Sequence, residues 1–587
     1  MKKIIAIIVV LSTLTGYSQE DKNDSIKKNK IKIFGGLESN AQWYLNDKNR
    51  ELSHPDYPIR SNNYLSVNAN YGRFSAGIQF ESYQSLALLN YNPGFEGNNV
   101  GTFYANYKSN KLDVTAGHFY EQFGSGLIFR TWEDRALGIN NALRGLRVKY
   151  NPTDNLMFTA LYGKQRTGFH VVDSDIFGFN SDFNLSGLIG INNFDLSTGF
   201  SVISKKEDID PAVIDPKFNK ITNAYSSRIN FSKGSFYFTT EYNFKDKEPV
   251  LVRTDLDNDF IKSGNALLIN FGYSKKGFGL DANFRRIENM AFLSQRQPEV
   301  YAPEISSLYF NDRILNFVPA LTKQHHSNLA NIYVYQAQNR VAMQFDEQIQ
   351  KFGEIGGQID MFYEFKKGTK FGGKYGTKVS MNVSNWFNLD ADYSYFDNFG
   401  NIQPDYKTKF FGAKEKYFSD YNIEFSKKLS SKFKGSLMYS NQYYNDQYIR
   451  GIFQENVIKS NILFVEGVYN IKGSRSITLG LEHMWADNDR GNWASFLLEY
   501  NHNQNWSIFM MDMYNYGFDK ESGNVLISGH LDEFDIHFYN FGGSYRRGST
   551  RIALNYGRQR GGLVCAGGVC RVVPQSTGVG LSLTSTF

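Results

Sequence analysis

Hydrophobic and polar residues alternate along the chain in repeated segments of about ten residues. The segment 235–245 places aromatic side chains on one face and Thr, Glu, Asn and Lys side chains on the other, and the segments 73–83, 278–285 and 551–559 repeat this pattern. Such alternation predicts β-strands that are apolar on one face only. When strands of this kind lie in lipid, only a closed barrel satisfies their backbone hydrogen bonds, because it leaves no open edge.

The alternation also predicts which way individual side chains point. The residues predicted to face lipid are Phe236, Phe238, Phe244, Phe284, Leu554 and Leu583, and those predicted to face the lumen include Glu241, Asp281, Arg285 and Asn555. A lumen of mixed charge follows. Two explanations stay open: a hydrated path for solutes, or polar side chains that are present simply because water and loops fill so wide a barrel.

The connections between the strands are of two kinds. Tight turns are predicted at 109–111, 152–155, 233–234, 275–277, 430–432 and 472–474, and long polar loops at 46–62, 121–143, 205–223 and 518–533. Short turns at one end and long loops at the other are typical of the periplasmic and extracellular ends of a bacterial barrel. Counting gives about 24 strands, within a range of about 22 to 26, because strand boundaries are uncertain in a sequence.

Two segments are ambiguous. The segment 379–395 keeps one parity throughout, which fits either one long strand or a hairpin. The alternation breaks around Asp512, which suggests a β-bulge.

The chain ends on an alternating segment, 575–587, whose last residue is Phe587. This ending resembles the last-strand signal that the barrel-assembly machinery reads. We therefore expect Phe587 to serve as an assembly signal, and that machinery to be a partner during biogenesis. Outer-membrane lipid and lipopolysaccharide are the other expected partners.

The first residues predict export. Lys2 and Lys3 precede a short apolar run, and the small residues Gly16 and Ser18 then form a cleavage site, so residues 1–18 are predicted to be a signal peptide. The apolar run is too short for the alternative, a membrane anchor. A short periplasmic segment, 19–30, follows, and the barrel is predicted to occupy 31–587. This leaves no room for the N-terminal plug domain of a TonB-dependent transporter.

Composition supports the same class. The chain has 49 Phe, 38 Tyr and 6 Trp but only 12 Pro, and its formal net charge is +6. Aromatic residues form the girdles of membrane barrels, and a charge so close to neutral for this length gives no indication of nucleic-acid binding. The predicted fold is therefore all-β: a large transmembrane antiparallel β-barrel in the bacterial cell outer membrane, with no plug domain.

One long loop has an unusual composition. The segment 121–147 is rich in apolar residues and in Arg and acidic residues. Its apolar side chains are predicted to pack it into the barrel mouth; they are Phe123, Leu127, Ile128, Phe129 and Trp132. Its charged side chains are predicted to form either an ion-pair network or a constriction; they are Arg130, Glu133, Asp134, Arg135, Arg144 and Arg147. Structural packing is the favoured role.

The second long insert, 288–353, contains His325 and His326. Adjacent imidazoles without a third ligand are weak support for a metal site, so no metal is expected. The 9 His of the chain form no recognisable triad, and no HExxH or GxSxG motif occurs. The sequence thus predicts neither an enzyme nor a cofactor.

Cys565 and Cys570 are the only cysteines, and both lie in the loop before the last strand. In an exported protein, an isolated pair within one loop predicts a disulfide. A redox or metal role is the alternative.

Several stretches also resemble a family of Bacteroidota outer-membrane β-barrel proteins of unknown function. The matching segments are GHFYEQFGSGL at 117–127, RALGINNALRG at 135–145, PALTKQ at 319–324, FKKGTKFGGKYGT at 365–377 and GGLVCAGGVCRVVP at 562–574. The resemblance implies the barrel and its location, and it supplies no activity.

The function favoured by these features is a passive or loop-gated channel for small hydrophilic solutes. The alternative is a non-conducting barrel that serves as a surface scaffold or as a subunit of a larger complex, with another outer-membrane protein as its partner. A hydrolase at the rim would need a nucleophile and a base within hydrogen-bond reach.

Overall fold

The computed structural model describes residues 30–587 apart from the segments 92–93, 209–218, 253–254, 296–312, 343–348, 452–455, 518–534 and 567–568. The predicted signal peptide 1–18, nearly all of the predicted segment 19–30 and the predicted loop 518–533 therefore lie outside the described residues.

The described residues form a barrel whose wall is one antiparallel sheet. Of the 25 strands that this sheet joins, the two-residue strand His170–Val171 pairs only with the end of its neighbour. The other 24 follow one another around the wall in chain order. The predicted all-β barrel of about 24 strands is confirmed.

The first half of the wall consists of β1 (Lys32–Leu45), β2 (Ile59–Tyr71), β3 (Phe74–Gln84), β4 (Gly97–Lys108), β5 (Leu112–Phe119), β6 (Leu143–Thr153), β7 (Leu156–Thr167), β8 (Asp175–Asn184), β9 (Asp195–Lys206), β10 (Ile221–Lys233), β11 (Phe236–Val252) and β12 (Asp255–Lys275). The second half consists of β13 (Phe278–Glu288), β14 (Glu354–Phe365), β15 (Thr377–Phe396), β16 (Ile402–Lys428), β17 (Phe433–Asn445), β18 (Val457–Lys472), β19 (Arg475–Ala486), β20 (Asn492–Asn501), β21 (Trp506–Gly517), β22 (Ile536–Arg547), β23 (Thr550–Gln559) and β24 (Ser576–Thr586).

The helical segments within the described residues are short. They are α1 (Leu185–Leu188), α2 (Asp446–Arg450) and the 3₁₀ turns Lys48–Arg50 and Leu329–Asn331. Within the described part of the chain, no helix is long and apolar enough to cross a membrane.

The first and last strands close the sheet into a barrel. β1 pairs with β24 from Gly36 opposite Thr586 to Leu45 opposite Thr577. Beyond this pairing, the backbone of Phe587 exchanges two hydrogen bonds with Gly35, at 3.0 and 3.1 Å. The last residue thus continues the closing seam, while its role as an assembly signal stays a prediction.

The two ends of the barrel differ in their connections. At one end, called the turn end here, strands are joined by short turns such as 72–73, 109–111, 234–235, 276–277 and 473–474. The N-terminus of β1 and the C-terminus of β24 also lie at this end. At the other end, called the loop end, lie the longest connections, 120–142 and 289–353. The predicted rhythm of short turns and long loops is confirmed, with loop boundaries that differ from the predicted ones by up to four residues.

Side chains alternate between the two faces of the wall as predicted. Leu554 and Phe244 are 55% and 39% exposed on the outside, whereas Glu241 and Arg285 are 5% and 1% exposed on the inside. Asn555, next to Leu554, bonds Asn540 within the lumen at 3.1 Å. At these positions the wall carries apolar side chains outward and polar side chains inward.

Both ambiguous segments have a definite structure. The segment 379–395 belongs to a single strand, β15, which is one of the two alternatives. The bulge predicted around Asp512 is wrong, because the pairing of β21 with β20 and β22 continues through it without a shift. Asp512 faces outward and binds His537 Nδ1 at 2.7 Å, while Met513 faces inward into an apolar cluster. The residue types break the alternation, and the backbone does not.

Candidate functional site

The described residues of two long loops fold back from the loop end into the lumen. The first plug loop, 120–142, joins β5 to β6, and the second plug loop, 289–353, joins β13 to β14. Their apolar residues are buried in clusters that include inward-facing residues of the wall. The two plug loops therefore occupy the part of the lumen that these wall residues face.

The first plug loop packs as its composition predicts. Phe123, Leu127, Ile128 and Phe129 are at most 2% exposed, and they share a cluster with inward residues of the wall such as Ile203. Burying one apolar side chain of this size stabilises the folded state by about 1.5–3 kcal/mol relative to leaving it exposed. This burial explains why a loop of such apolar composition is ordered.

The tip of the first plug loop binds the wall through a carboxylate. The backbone nitrogen of Ser125 donates to Glu241 on β11 at 2.8 Å, and Ser226 on β10 donates to the same carboxylate at 3.0 Å. Gly124 has a φ of +55°, and a Cβ there would lie 2.7 Å from Arg228 Cδ. Glycine is required at this tip both for its backbone conformation and for the close approach.

The second plug loop binds the wall on the far side of the lumen. Glu482 on β19 accepts Ser327 Oγ at 2.6 Å and the backbone nitrogens of Asn328 and Leu329 at 3.1 and 2.9 Å. Ser327 and Leu329 are fully buried. One carboxylate thus satisfies three donors at the start of a 3₁₀ turn, where backbone N–H groups lack partners within the turn.

A second contact to the wall lies beside the first. His325 Nε2 binds Asp420 on β16, and both side chains are at most 2% exposed. Ser440 Oγ on β17 donates to the same carboxylate at 2.7 Å, and Gln442 Nε2 donates to the backbone of Ala330 at 3.0 Å. The segment 325–330 is therefore held by three neighbouring regions of the wall.

A buried ion pair fixes the return of the second plug loop. Arg285 on β13 donates to Glu354 at the start of β14, and their side chains are 1% and 0% exposed. Glu354 also accepts Tyr335 Oη at 2.5 Å and the backbone nitrogen of Gln338 at 2.7 Å. Burial, and then the charge of Glu354, raise the pKa of Tyr335 well above its usual value, so the phenol keeps its proton and donates.

The two plug loops also contact each other. The backbone nitrogen of Arg130 donates to Leu315 at 2.8 Å, and that of Phe317 donates to Gly126 at 2.8 Å. The guanidinium of Arg130 lies 3.8 Å from the centre of the Phe317 ring and 5.1 Å from that of Trp132. Together the loops connect the wall from β10 and β11 on one side to β19 on the other.

Three of the six predicted charged residues, Glu133, Arg135 and Arg147, form ion pairs, in two separate groups. Arg135 binds Glu38 on β1 at 2.6 Å and Glu133 at 3.1 Å. Arg147 binds Asp113 on β5 at 3.2 Å and Glu121 at 3.3 Å. The first plug loop is thereby attached to β1 through Arg135 and to β6 through Glu121, while the pair of Arg147 with Asp113 joins β6 to β5.

The remaining predicted residues have other roles. Arg130 stacks on aromatic rings as described, and Asp134 accepts the backbone nitrogen of Leu137 at 2.9 Å within its own turn. The prediction for Arg144 is wrong. β6 begins at Leu143, and its alternation places Leu143 and Arg147 inward, so Arg144 is exposed on the outer face beside Leu146.

For the two cysteines, the structure describes both backbones and the side chain of Cys570. The backbones of Cys565 and Cys570 are paired across a short hairpin, Gly562–Ala566 with Val569–Val573. Such partners lie about 4.5–5.5 Å apart at Cα, which is within disulfide range. The side chain of Cys565 lies outside the described side chains, so the disulfide stays a prediction.

This hairpin covers the first plug loop. Arg571, which is 6% exposed, donates to the backbone oxygens of Leu137 and Gly138. Gly138 has a φ of +64°, and a Cβ there would lie 2.7 Å from Arg571 Nη1. The loop before the last strand is thereby bound to the loop that follows β5.

Polar cavities lie between the plug loops and the turn end. One, of about 560 Å³, extends along β2 to β6 from Glu133 of the first plug loop to Lys108 beside a turn. Another, of about 410 Å³, lies below the tip at Gly124 and Ser125, along β8 to β12. The turn-end half of the lumen thus keeps space for water and small solutes.

Two of the residues that bind the second plug loop, Asp420 and Glu354, were not predicted from the sequence. Both are inward-facing acidic residues in alternating strands, like Glu241 and Glu482, which the alternation does place in the lumen. In the sequence, each of them could be recognised as an acidic residue at an inward position in the loop-end half of a strand. This position could not show which loop the residue binds.

A profile for a family described as "Family of unknown function (DUF6029)" matches residues 1–587. The chain belongs to this family. No curated protein matches the chain.

Some solved structures are similar to this DUF6029 member. The P pilus usher (PapC) translocation pore has a TM-score of 0.40 and 9% identity, over 95% of this chain and 99% of that chain. The siderophore receptor PirA from Pseudomonas aeruginosa has a TM-score of 0.39 and 8% identity, over 96% and 81% of the chains. A BenF-like porin from Pseudomonas fluorescens Pf-5 has a TM-score of 0.32 and 8% identity, over 81% and 97%.

Proposed function

We propose that this protein is an outer-membrane channel for small hydrophilic solutes, and that its two plug loops form the gate. The closed wall and its outward apolar side chains support placement in a bilayer, where backbone groups must find partners within the protein. Short turns at one end support a periplasmic turn end and an extracellular loop end. Lipid and lipopolysaccharide are then the surrounding partners, and the proposal assigns no catalysis to the chain.

The gate is proposed because of the way in which the two plug loops are attached to the wall. Its apolar residues are buried, yet it binds the wall through a few carboxylates, chiefly Glu241, Glu482 and Asp420, and polar cavities lie below it. A plug made of loops joined to the wall at both ends can move aside without leaving the barrel. The hydrated half of the lumen then becomes part of a continuous path.

A non-conducting scaffold is the second candidate. It is favoured by the complete burial of the plug residues Ile128, Phe129 and Leu329, because displacing such residues exposes apolar surface to water. Conductance separates the two candidates.

The test replaces the second plug loop. Ile287 and Glu354 are paired across β13 and β14, so residues 290–351 can be replaced by a short Gly-Ser-Asn-Gly turn. In planar bilayers, we expect the full chain to be closed most of the time and this variant to conduct steadily. A matched control shortens the tip 397–401 of the β15–β16 hairpin, which lies away from the lumen, and should stay closed. Absence of conductance in the folded deletion variant would support the scaffold.

Placement in the membrane has its own test. Leu554→Arg is expected to abolish heat-modifiable folding, because an arginine facing lipid near the bilayer centre costs about 2–4 kcal/mol. Asn555→Arg should fold, since Asn555 faces the lumen. The measurement compares the gel mobility of unheated and boiled samples. Equal tolerance at the two positions would contradict the assignment of faces.

A further inference from the structure

The larger lumen cavity is lined mainly by neutral hydrogen-bonding groups. Its volume of about 560 Å³ falls within the range of small-molecule sites, about 300–1,000 Å³. The amide and hydroxyl side chains that line it include Asn68, Gln79, Thr102, Tyr104, Asn106 and Thr115. Amides and hydroxyls both donate and accept hydrogen bonds, so they suit solutes that carry many hydroxyl groups.

The charged residues around this cavity are largely neutralised by one another. Arg147 binds Asp113 at 3.2 Å and Glu121 at 3.3 Å, and Glu133 binds Arg135 at 3.1 Å. Lys108, at the turn end, is exposed. An ionic solute would therefore find no unpaired opposite charge deep in the cavity. A neutral polar solute needs no such charge, because it binds through hydrogen bonds.

An aromatic ring packs against the cavity wall. A Cβ on Gly77 of β3 would lie 2.4 Å from Cε1 and 3.0 Å from Cζ of Tyr104 on β4, so the ring covers the glycine. Its hydroxyl donates to Asn68 Oδ1 at 3.1 Å, which fixes its orientation. The ring therefore packs against the wall where the glycine leaves room for it, and it also lines the cavity.

Two further rings lie on the inner wall in the same way. A Cβ on Gly272 would lie 1.9 Å from Cε1 of Tyr237, and a Cβ on Gly279 would lie 2.3 Å from Cε1 of Phe362. Tyr237 and Phe362 lie near the turn-end termini of β11 and β14. Aromatic rings that pack against glycines of the wall therefore recur around the turn-end half of the lumen.

We propose that this half of the lumen binds a neutral, hydroxyl-rich solute of the saccharide class, with a sugar ring stacked on Tyr104 and its hydroxyls bonded by Asn68 and Asn106. Pyranose rings present an apolar C–H face and a polar rim, which match a fixed aromatic face bordered by amides. This assignment rests on the proposed channel, because it names the class of solute that the channel carries.

Isothermal titration calorimetry of the detergent-solubilised full chain tests this binding. The probes are maltose, cellobiose and sucrose, with gluconate and glucose 6-phosphate as anionic comparisons. The cavity reaches the turn end at Lys108, so binding does not require an open gate. We expect at least one neutral saccharide to bind, and to bind more tightly than both anions.

Variants at two adjacent aromatic residues locate the site. Tyr104→Ala should weaken saccharide binding by about tenfold or more, in keeping with the size of aromatic stacking energies, while Tyr104→Phe, which keeps the ring, should retain most of it. The matched control is Phe103→Ala, because Phe103 is 45% exposed on the outer face of the same strand. Its binding should equal that of the unaltered chain.

The outcomes separate this inference from the proposed channel. Absence of saccharide binding in the folded chain, tighter binding of the anions, or equal binding by Tyr104→Ala would each overturn the saccharide site and leave conductance unaffected. Saccharide binding by a chain that conducts in no variant would support the site and overturn the channel.

Discussion

Replacing Glu482 with alanine is expected to raise the open probability of the barrel by about ten- to a hundredfold. The substitution removes an acceptor for Ser327 Oγ and for two backbone N–H groups of the second plug loop. Because the three bonds share one carboxylate, their contributions do not add; we take the net loss as that of one hydrogen bond to a charged group, about 1.5–3 kcal/mol, and every 1.4 kcal/mol changes an equilibrium about tenfold. Single-channel recording in planar bilayers measures the open probability directly.

Two controls separate release of the plug from a general effect of losing a glutamate. Glu499→Ala removes a carboxylate whose bond is to Asn501 on the same strand, at 2.7 Å, and it should leave the channel closed. Glu482→Gln keeps one carbonyl acceptor and should give an intermediate open probability. If Glu482→Ala and Glu499→Ala conduct equally, the plug is not held by Glu482.

The second large effect is expected at the buried ion pair. Glu354→Ala leaves Arg285 as a buried charge without its partner, which costs about 3–5 kcal/mol. It also removes the acceptor for Tyr335 and for the backbone of Gln338. We expect trypsin to cleave the second plug loop at Lys323 or Arg340 at least about a hundred times faster, because cleavage follows the population of the released state. Mass spectrometry of the fragments identifies the cleaved bond.

A double variant distinguishes the unpaired charge from simple loss of contacts. Arg285→Met combined with Glu354→Gln contains no buried charge and keeps an acceptor for Tyr335, so it should recover most of the protease resistance. Asp47→Ala is the control ion-pair variant. Asp47 binds Arg558 at 2.6 Å beside the closing seam, and its loss should not change cleavage of the plug. A double variant as sensitive as Glu354→Ala would show that charge burial is not the cause.

The barrel wall could be predicted from the sequence because its information is local. Strands such as β11 and β23 repeat every two residues, so their inward and outward residues follow from position alone. The burial of Phe123, Leu127, Ile128 and Phe129 was also predictable, because an apolar loop must find apolar surroundings. The error at Arg144 came from treating it as part of the loop, although the alternation of β6 already places it outward.

The attachment of the plug could not be predicted, because it joins distant residues. Ser125 and Glu241 are 116 residues apart, and Ser327 and Glu482 are 155 apart. No periodicity links such positions, since each meets its partner only after the wall has closed. The break in alternation near Asp512 has the same origin: Met511 lies 3.5 Å at Sδ from Asn328 of the plug, so an apolar residue occupies an inward position.

The contact of Arg571 with Leu137 and Gly138 has a consequence for the order of assembly. Arg571 precedes the last strand, and its partners follow the fifth, so 434 residues separate Arg571 from Leu137. A barrel built strand by strand from β1 cannot make this contact until its final hairpin arrives, when β24 also pairs with β1. The lumen of an unfinished barrel therefore lacks its cover, and only a completed cylinder is fully sealed.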